Sequence, residues 1–417
     1  MFHVLINDVL STPAILIGIF VLLGNLLLQN SPTKTISGTL KTIIGFSLLT
    51  LGAEIAGDTL NSFSVMFTEA FGLQASVMNT DAYGALLNER YSSATIIMMI
   101  AMILNLVIAK FTRFKHIYLS GHLVLYLSGM LAMILNNFHP LIAVGLGSIL
   151  LALYMSLSPH MLQKYTQDIL GSDDFGIGNT GSLYFLFAAK LGEMIGDKSK
   201  STEDINVPQS FDFLQDSAVS MSLTMSTLFI IVSLFTGKTF IETNLSNGQN
   251  YLFYSFMQGI IFAAGIHVLV TGIHMATNEL VPAFRGIADK LINGATPSLD
   301  APIMLSYSPN AMIIGFLSSL TGGVIGMFLM TLTSLPVIIP GMMQHFFLGG
   351  VSATYANSTG GRKAAFIAPF IIGLSMAFLP SLFIAFVGGD ISDTVVFGDS
   401  DFTILGLLLE AFFGLFK

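Results

Sequence analysis

The chain has 417 residues, of which 53% are hydrophobic and 10% are charged, with a formal net charge of −8 at pH 7. Soluble domains average about 25% charged residues, so this composition excludes an ordinary water-soluble protein and predicts an all-α polytopic membrane protein. The negative charge argues against a nucleic-acid partner, which requires a basic surface. The absence of Cys excludes a disulfide, a thiolate nucleophile and a zinc–thiolate site.

Apolar segments long enough to cross a bilayer recur along the whole chain. No positively charged stretch precedes the first one, so we expect it to be a span of the mature protein and not a cleaved signal peptide. The second span carries Lys41 and Glu54, with Asp58 at its end, and is a candidate for a broken helix. At the usual length of about 20 residues, we predict eleven spans, at about 11–30, 38–57, 94–112, 118–137, 139–158, 217–237, 251–274, 309–333, 335–354, 364–387 and 402–417.

The positions of Lys and Arg predict the orientation of these spans. If the N-terminus lies outside, only Arg90 and Lys238 of the 16 Lys and Arg residues fall on the outer side. An excess of Lys and Arg in cytoplasmic segments is the expected bias. The C-terminus is then cytoplasmic, and the acidic loop 390–401 falls outside.

The whole chain, 1–417, is predicted to form a single membrane unit built from two halves. The halves are 1–158 and 217–387, joined by a cytoplasmic connector, 159–216, and followed by a final helix, 402–417. About five spans in each half give the halves opposite orientations, which is the topology of inverted repeats. Within the connector, FGIGNTGSLYFLFAAKLGEMIG predicts a re-entrant hairpin followed by an interfacial helix.

The segment 279–310 is the strongest candidate for a functional site. It is charged and interrupted by Pro and Gly, and irregular charged backbone persists at membrane depth only inside protein or beside a water-filled cavity. Arg285 and Lys290 belong to its cytoplasmic, interfacial part, and from Gly294 the chain is expected to re-enter the protein. Asp300 is its most suggestive residue, although a carboxylate after Pro and Ser could instead cap a helix.

Five segments resemble the ascorbate-type IIC permeases of the bacterial phosphotransferase system, in the family's order and over most of the chain. They are residues 38–52 (GTLKTIIGFSLLTLG), 81–83, 121–123 (GHL), 201–208 (STEDINVP) and 279–311. The resemblance implies a homodimer in the bacterial cytoplasmic membrane, with a scaffold domain and a mobile core domain that moves like an elevator. It also implies a IIB partner, supplied by IIA, that phosphorylates the carbohydrate on delivery.

The resemblance further implies a substrate site. Matching positions retain Gly52, Tyr83, His122 and Asp300 of the ascorbate-binding set. Asp300 is expected to bind a substrate hydroxyl and is a candidate base for phosphoryl transfer, if its geometry allows it to reach the proton. The phosphoryl donor in this family is a Cys on IIB, so this chain is a transport subunit that borrows the donor from a partner. No cofactor or metal is implied.

Other positions depart from the family pattern. The family's His-Gln pair falls at Asn179-Thr180, which we include among the substrate-binding candidates. Glu54 stands where a glycine is expected and is a further candidate contact. A site built for hydroxyls discriminates between analogues, so the substrate is ascorbate or another hydrophilic carbohydrate or sugar acid. The remaining changes are Ala53 for Ser, Ala82 for Thr and Tyr126 for Gln.

Two other classes of function compete with this one. A proton- or sodium-coupled secondary transporter of a small polar solute would use Asp300, Glu54 and Asp58 as coupling groups, and inverted repeats suit that class equally well. A channel ranks third because no segment resembles a selectivity filter.

Overall fold

The structure, a computed structural model, describes residues 13–72, 76–77, 92–205, 217–341, 344–387 and 398–413. These residues are mostly helical, which confirms the all-α class. The helices are α1 Pro13–Leu27, α2 Pro32–Phe71, α3 Ser92–Phe111, α4 Gly121–Ile134, α5 Pro140–Leu170, α6 Ser182–Ile195, α7 Ser217–Thr236, α8 Lys238–Asn244, α9 Tyr251–Lys290, α10 Pro309–Met330, α11 Gly350–Val387 and α12 Ser400–Phe413.

Short irregular elements interrupt these helices. A 3₁₀ helix covers Ala301–Ser306, and a π-helical turn covers His345–Gly349. The strands are β1 Ser76–Val77, β2 His116–Tyr118, β3 Gly176–Ile177, β4 Thr296–Leu299 and β5 Ile338–Ile339.

Five helices of the described residues are long and apolar enough to cross a membrane: Pro32–Phe71, Pro140–Leu170, Tyr251–Leu280, Pro309–Met330 and His345–Phe386. The pair Met221–Thr236 and Lys238–Asn244, bent by 108°, would make a sixth. Eleven spans would require that some of them be shorter than these helices or broken. The number of spans stays a prediction.

The two longest helices, α2 and α9, pack against each other in antiparallel fashion through glycines. Gly45 and Gly52 of α2 meet Gly272 and Gly265 of α9, and a Cβ at Gly45 would lie 2.8 Å from the Gly272 carbonyl oxygen. Small residues allow helix backbones to approach closely inside a membrane. Helices α1 and α7 pack on the same pair, and we call α1, α2, α7, α8 and α9 the crossed-helix group.

The remaining helices pack among themselves around the strands. Helix α11 contacts α10, α6 and α12, and α5 contacts α3, α4 and α6. We call α3–α6 and α10–α12, with the strands, the strand-bearing group. Fewer contacts join the two groups, and they run chiefly through β4, the 3₁₀ helix, and the pairs α1–α4 and α7–α10.

A three-stranded parallel sheet lies at the centre of the strand-bearing group. Strand β4 is in the middle, with β2 and β3 on its two sides, and both Tyr118 and Gly176 are in register with Ser298. Asn105 of α3 covers the outer edge of β2 by donating to the His116 carbonyl (3.0 Å) and accepting from the Tyr118 amide (3.1 Å). These backbone groups at the edge of β2 are thus hydrogen-bonded by the protein itself, as non-helical backbone at membrane depth requires.

The predicted boundary between the first half and the connector does not coincide with a break in the chain. Helix α5 continues through Pro159 and ends at Leu170, where Gly171 adopts a left-handed conformation (φ 69°). The predicted hairpin and interfacial helix correspond to β3 and α6. One face of α6 is buried against α11, where Gly192 touches Thr359, so α6 is part of the packed interior and does not only lie on the surface.

The STED motif, residues 201–204, links the connector to the second half of the chain through hydrogen bonds. The Glu203 carboxylate accepts hydrogen bonds from the backbone nitrogens of Asn310 (3.3 Å) and Ala311 (3.0 Å), in the first turn of α10. The Thr202 backbone nitrogen donates to Asn357 Oδ1 of α11 at 2.8 Å. A carboxylate at a helix N-terminus satisfies otherwise unpaired N–H groups and interacts favourably with the helix dipole.

Replacing Glu203 by Ala is expected to lower the free energy of unfolding by about 1 kcal/mol, the usual value of a helix cap. Thermal unfolding of the purified protein in detergent measures it. Asp168→Ala, which removes an exposed acid from α5, is the matched control and should leave the melting temperature unchanged. Equal melting temperatures for both variants would contradict the capping role.

Candidate functional site

Asp300 stands at the end of the central strand. It follows β4 directly and caps the 3₁₀ helix, because its Oδ1 accepts a hydrogen bond from the Ala301 backbone nitrogen at 2.7 Å. Its side chain is half-buried. The capping role considered from sequence is therefore present, and it holds the carboxylate at the junction of β4 with the 3₁₀ helix.

Asn179 is brought against Asp300 by the turn that follows β3. Its Nδ2 donates to Asp300 Oδ1 at 2.6 Å, and its Oδ1 accepts from the Gly181 backbone nitrogen at 2.7 Å. The turn is anchored to β4 by the Gly178 amide, which donates to the Leu299 carbonyl at 2.8 Å. Two of the predicted site residues, 121 positions apart, are thus in direct contact.

Thr180 has a different environment from its neighbour. It is completely buried, and its hydroxyl donates to Asp399 in the segment before α12. Its carbonyl oxygen accepts a hydrogen bond from the Asp401 backbone nitrogen at 2.9 Å. These contacts hold the turn in place, and Thr180 is not among the residues that line the cavity beside Asp300.

A small cavity of about 40 Å³ lies beside Asp300, between the two helix groups. Ser120 follows β2, and its hydroxyl donates to the Gly178 carbonyl at 2.6 Å. A water molecule occupies about 30 Å³ in the liquid, and sites for small molecules usually measure about 300–1,000 Å³. A small molecule of the usual ligand size can therefore enter only if the two groups separate. The lining residues are Ile17, Phe46, Leu49, Thr50, Leu119, Ser120, Leu299 and Asp300.

The other predicted site residues occupy several places. Gly52 is buried against α9, where a Cβ would lie 2.5 Å from the Gly265 carbonyl oxygen, so its environment is a helix crossing. Glu54 is exposed on α2, one turn beyond the cavity-lining Thr50. His122 is the second residue of α4. Tyr83 lies outside the described residues.

Sequence reasoning did not identify Asp399, Asp401 and Tyr154. These residues form hydrogen bonds with Asn179 and with its neighbours Thr180 and Leu183. The acidic loop 390–401, which the orientation of the spans places on the outer side of the membrane, ends in buried residues: Asp399 is 9% exposed and Asp401 is fully buried. Two carboxylates flanking a Ser at the start of an apolar helix were the signal that could have identified them as buried caps.

Replacing Asn179 by Ala is expected to weaken substrate affinity about tenfold, since a hydrogen bond to a charged group is lost. Binding of radiolabelled ascorbate, the ligand that the sequence resemblance implies, to purified protein measures the change. Asn137→Ala, at an exposed position, serves as the control. Unchanged affinity in the Asn179 variant would show that its amide does not orient Asp300.

Comparison with known proteins gives two findings. Residues 8–401 match the model of the family EIIC-GAT, described as the PTS system sugar-specific permease component. The chain is also 25% identical, over 426 aligned residues, to the ascorbate-specific PTS system EIIC component of Mycoplasma pneumoniae (strain ATCC 29342 / M129 / Subtype 1). That alignment covers 89% of this chain and 64% of the relative, so the chain spans slightly less than two thirds of the relative's length.

Proposed function

Since the chain belongs to the family of sugar-specific permease components of the phosphotransferase system, we propose that it carries an ascorbate-like carbohydrate or sugar acid into the cytoplasm for phosphorylation by a IIB protein. Its apolar helices and its family identify an integral membrane protein. The contact between Asp300 and Asn179, beside a cavity between two helix groups, carries the proposal. The name of the Mycoplasma relative supports ascorbate as the first substrate to test.

Asp300 binds a substrate hydroxyl in this proposal. Asn179 donates to Oδ1 of the same carboxylate, which fixes the orientation of the carboxylate plane. During phosphoryl transfer the phosphorus–sulfur bond to the IIB cysteine breaks, a phosphorus–oxygen bond to the carbohydrate forms, and the hydroxyl proton must leave. A base must lie within hydrogen-bond reach of the proton that it accepts. Asp300 binds the hydroxyl in this proposal, so it is the proposed acceptor of that proton. Gly52, Glu54, Tyr83, His122 and Thr180 remain candidate substrate residues.

An elevator movement of the strand-bearing group explains how the closed cavity would open. This group carries Asp300 and Asn179, whereas the crossed-helix group is held together by the glycine contacts between α2 and α9. The comparatively few contacts between the groups support movement of one against the other. The crossed-helix group would be the scaffold, and a homodimer with eleven spans per protomer, its N-terminus outside and its C-terminus cytoplasmic, completes the proposal.

Paired elements support inverted repeats. Helices α2 and α9 have 40 residues each. Both strand pairs, β2 with β4 and β1 with β5, join one strand that precedes α7 to one that follows it.

Transport in proteoliposomes tests the proposed function. With a phosphorylated IIB protein present, radiolabelled L-ascorbate should be recovered as its phosphate, and without IIB no concentrative uptake should occur. Accumulation of unphosphorylated substrate under a proton or sodium gradient alone would establish the alternative, an ion-coupled transporter. A parallel binding screen with ascorbate, galactitol and pentitols distinguishes a wrong substrate from a wrong mechanism.

A further inference from the structure

Asp401 caps a helix from inside the strand-bearing group. Its Oδ1 accepts hydrogen bonds from the Leu183 backbone nitrogen at 2.9 Å and from the Ser400 hydroxyl at 2.6 Å. Leu183 lies in the first turn of α6, directly after the turn that carries Asn179. A carboxylate from the far end of the chain, 218 residues away, therefore holds the start of α6.

The second oxygen of the same carboxylate is connected to the substrate site. The Tyr154 hydroxyl of α5 lies 2.7 Å from Asp401 Oδ2 and 3.0 Å from the carbonyl oxygen of Asn179. The Asn179 amide in turn donates to Asp300. A continuous series of contacts thus runs from Asp401 through Tyr154 and Asn179 to Asp300.

The hydrogens available to this series indicate where a proton lies. A phenol has one hydrogen, but the Tyr154 oxygen faces two acceptors. If Asp401 is ionised, Tyr154 donates to it, and the Asn179 carbonyl faces a lone pair at 3.0 Å. If Asp401 carries a proton, it donates to Tyr154, and Tyr154 donates to Asn179. Only a protonated Asp401 places a hydrogen both between Asp401 Oδ2 and the Tyr154 oxygen and between the Tyr154 oxygen and the Asn179 carbonyl.

The surroundings of Asp401 contain no compensating cation among the described residues. The ion pairs in that part of the chain involve Glu279, Glu193, Asp197 and Glu242. An ionised Asp401 would place an unpaired negative charge in the interior beside Asp399, which is costly. The ionisable groups that interact with it are Tyr154 of α5, Tyr184 of α6, Tyr118 of β2 and Asp399 of its own segment.

We propose that Asp401 is a positioning residue that carries a proton, and that its neutral carboxyl group holds the Asn179 turn against Asp300. The expected effect on transport rests on the proposed function. The protonation of Asp401 does not depend on it. Asp401 touches no substrate in this arrangement and acts through Tyr154 and Asn179.

Infrared spectroscopy of the purified full-length protein tests the proton. A protonated carboxylic acid has a carbonyl-stretching band separate from the bands of ionised carboxylates, and the band shifts in D₂O. We expect it in the difference spectrum of wild type minus Asp401→Asn, and not in that of wild type minus Asp168→Asn. A difference spectrum for Asp401→Asn that contains only carboxylate bands overturns the proposal.

Uptake by two variants tests the positioning role. Asn at 401 can still accept from Leu183 and donate to Tyr154, so Asp401→Asn should keep uptake within about twofold of wild type, whereas Asp401→Leu should lose about tenfold through the broken series of hydrogen bonds. Both variants should appear in the membrane at wild-type levels. Failure of Asn to preserve uptake, or wild-type uptake by the Leu variant, overturns the role.

The two proposals can fail separately. If the wild type transports and binds none of the tested carbohydrates, the proposed function fails, and amide hydrogen exchange over residues 178–183 replaces uptake as the readout. Exchange should then be faster in Asp401→Leu than in wild type and unchanged in Asp401→Asn. Equal exchange in all three proteins would show that Asp401 does not hold the turn.

Discussion

Replacing Asp300 by Asn should reduce carbohydrate uptake about a hundredfold, while membrane insertion stays normal. Oδ1 of an Asn side chain can keep both hydrogen bonds that Asp300 Oδ1 accepts, from Ala301 and from Asn179. The variant therefore loses the charge and the second carboxylate oxygen, but not the cap of the 3₁₀ helix. A hydrogen bond to a charged group contributes about 1.5–3 kcal/mol, and loss of a base adds to this in the phosphorylation step.

Radiolabelled uptake into proteoliposomes, with and without phosphorylated IIB, measures this effect. Asp168→Asn neutralises an exposed carboxylate on α5 and should transport like wild type. Loss of binding and loss of phosphorylation are separated by measuring affinity without IIB. Wild-type uptake by Asp300→Asn would remove Asp300 from the site.

Replacing Gly52 by Ala is expected to destabilise the crossed-helix group by about 1–3 kcal/mol, the usual cost of overpacking. The added methyl group would overlap the Leu269 backbone nitrogen and lie 2.5 Å from the Gly265 carbonyl oxygen. Both obstacles are backbone atoms of α9, which cannot rotate away as a side chain can. The two 40-residue helices must then separate along their crossing.

Thermal unfolding and gel filtration in detergent measure the effect. Gly145→Ala on α5 is the matched control, because a Cβ there meets no atom within 4 Å, and its melting temperature should stay at or above that of wild type. The result also separates two roles of Gly52. A Gly52→Ala protein of normal stability that no longer binds carbohydrate would show that the glycine serves the substrate, as the resemblance implies, and not the helix crossing.

The Asp300 region was the part of the site most accessible from sequence. A charged, Pro- and Gly-rich segment in a strongly apolar chain is unusual by composition alone, and the structure places its acid beside a cavity between helix groups. Its contact with Asn179 could not be derived from spacing, since 121 residues separate the two. The resemblance brought Asn179 and Thr180 to attention together, but only the structure distinguishes Asn179, which contacts Asp300, from Thr180, which is buried against Asp399.

The last residues of the acidic loop 390–401 have an environment that their charge does not predict. Lys and Arg predict orientation because they resist translocation, but Asp and Glu contribute little to that bias. Asp399 and Asp401 therefore do not bear on the predicted orientation, and their charge gave no indication that they are buried. Their buried hydrogen-bond donors are the Leu183 N–H of α6 and the hydroxyls of Thr180 and Tyr154, which are far away in sequence.

Composition and local pattern were sufficient for the all-α membrane class, for the family resemblance and for the choice of Asp300 as a candidate, because each depends on residues read within short segments or averaged over the chain. The tertiary structure was needed for the pairing of β4 with β2 and β3, the role of Gly52 at a helix crossing and the support of the Asn179 turn by Asp401. These features arise where distant segments satisfy each other's buried polar groups or approach within contact distance. Buried polar groups must be paired in the folded protein. Which distant segment supplies the partner depends on the packing of the whole chain and not on the neighbouring sequence.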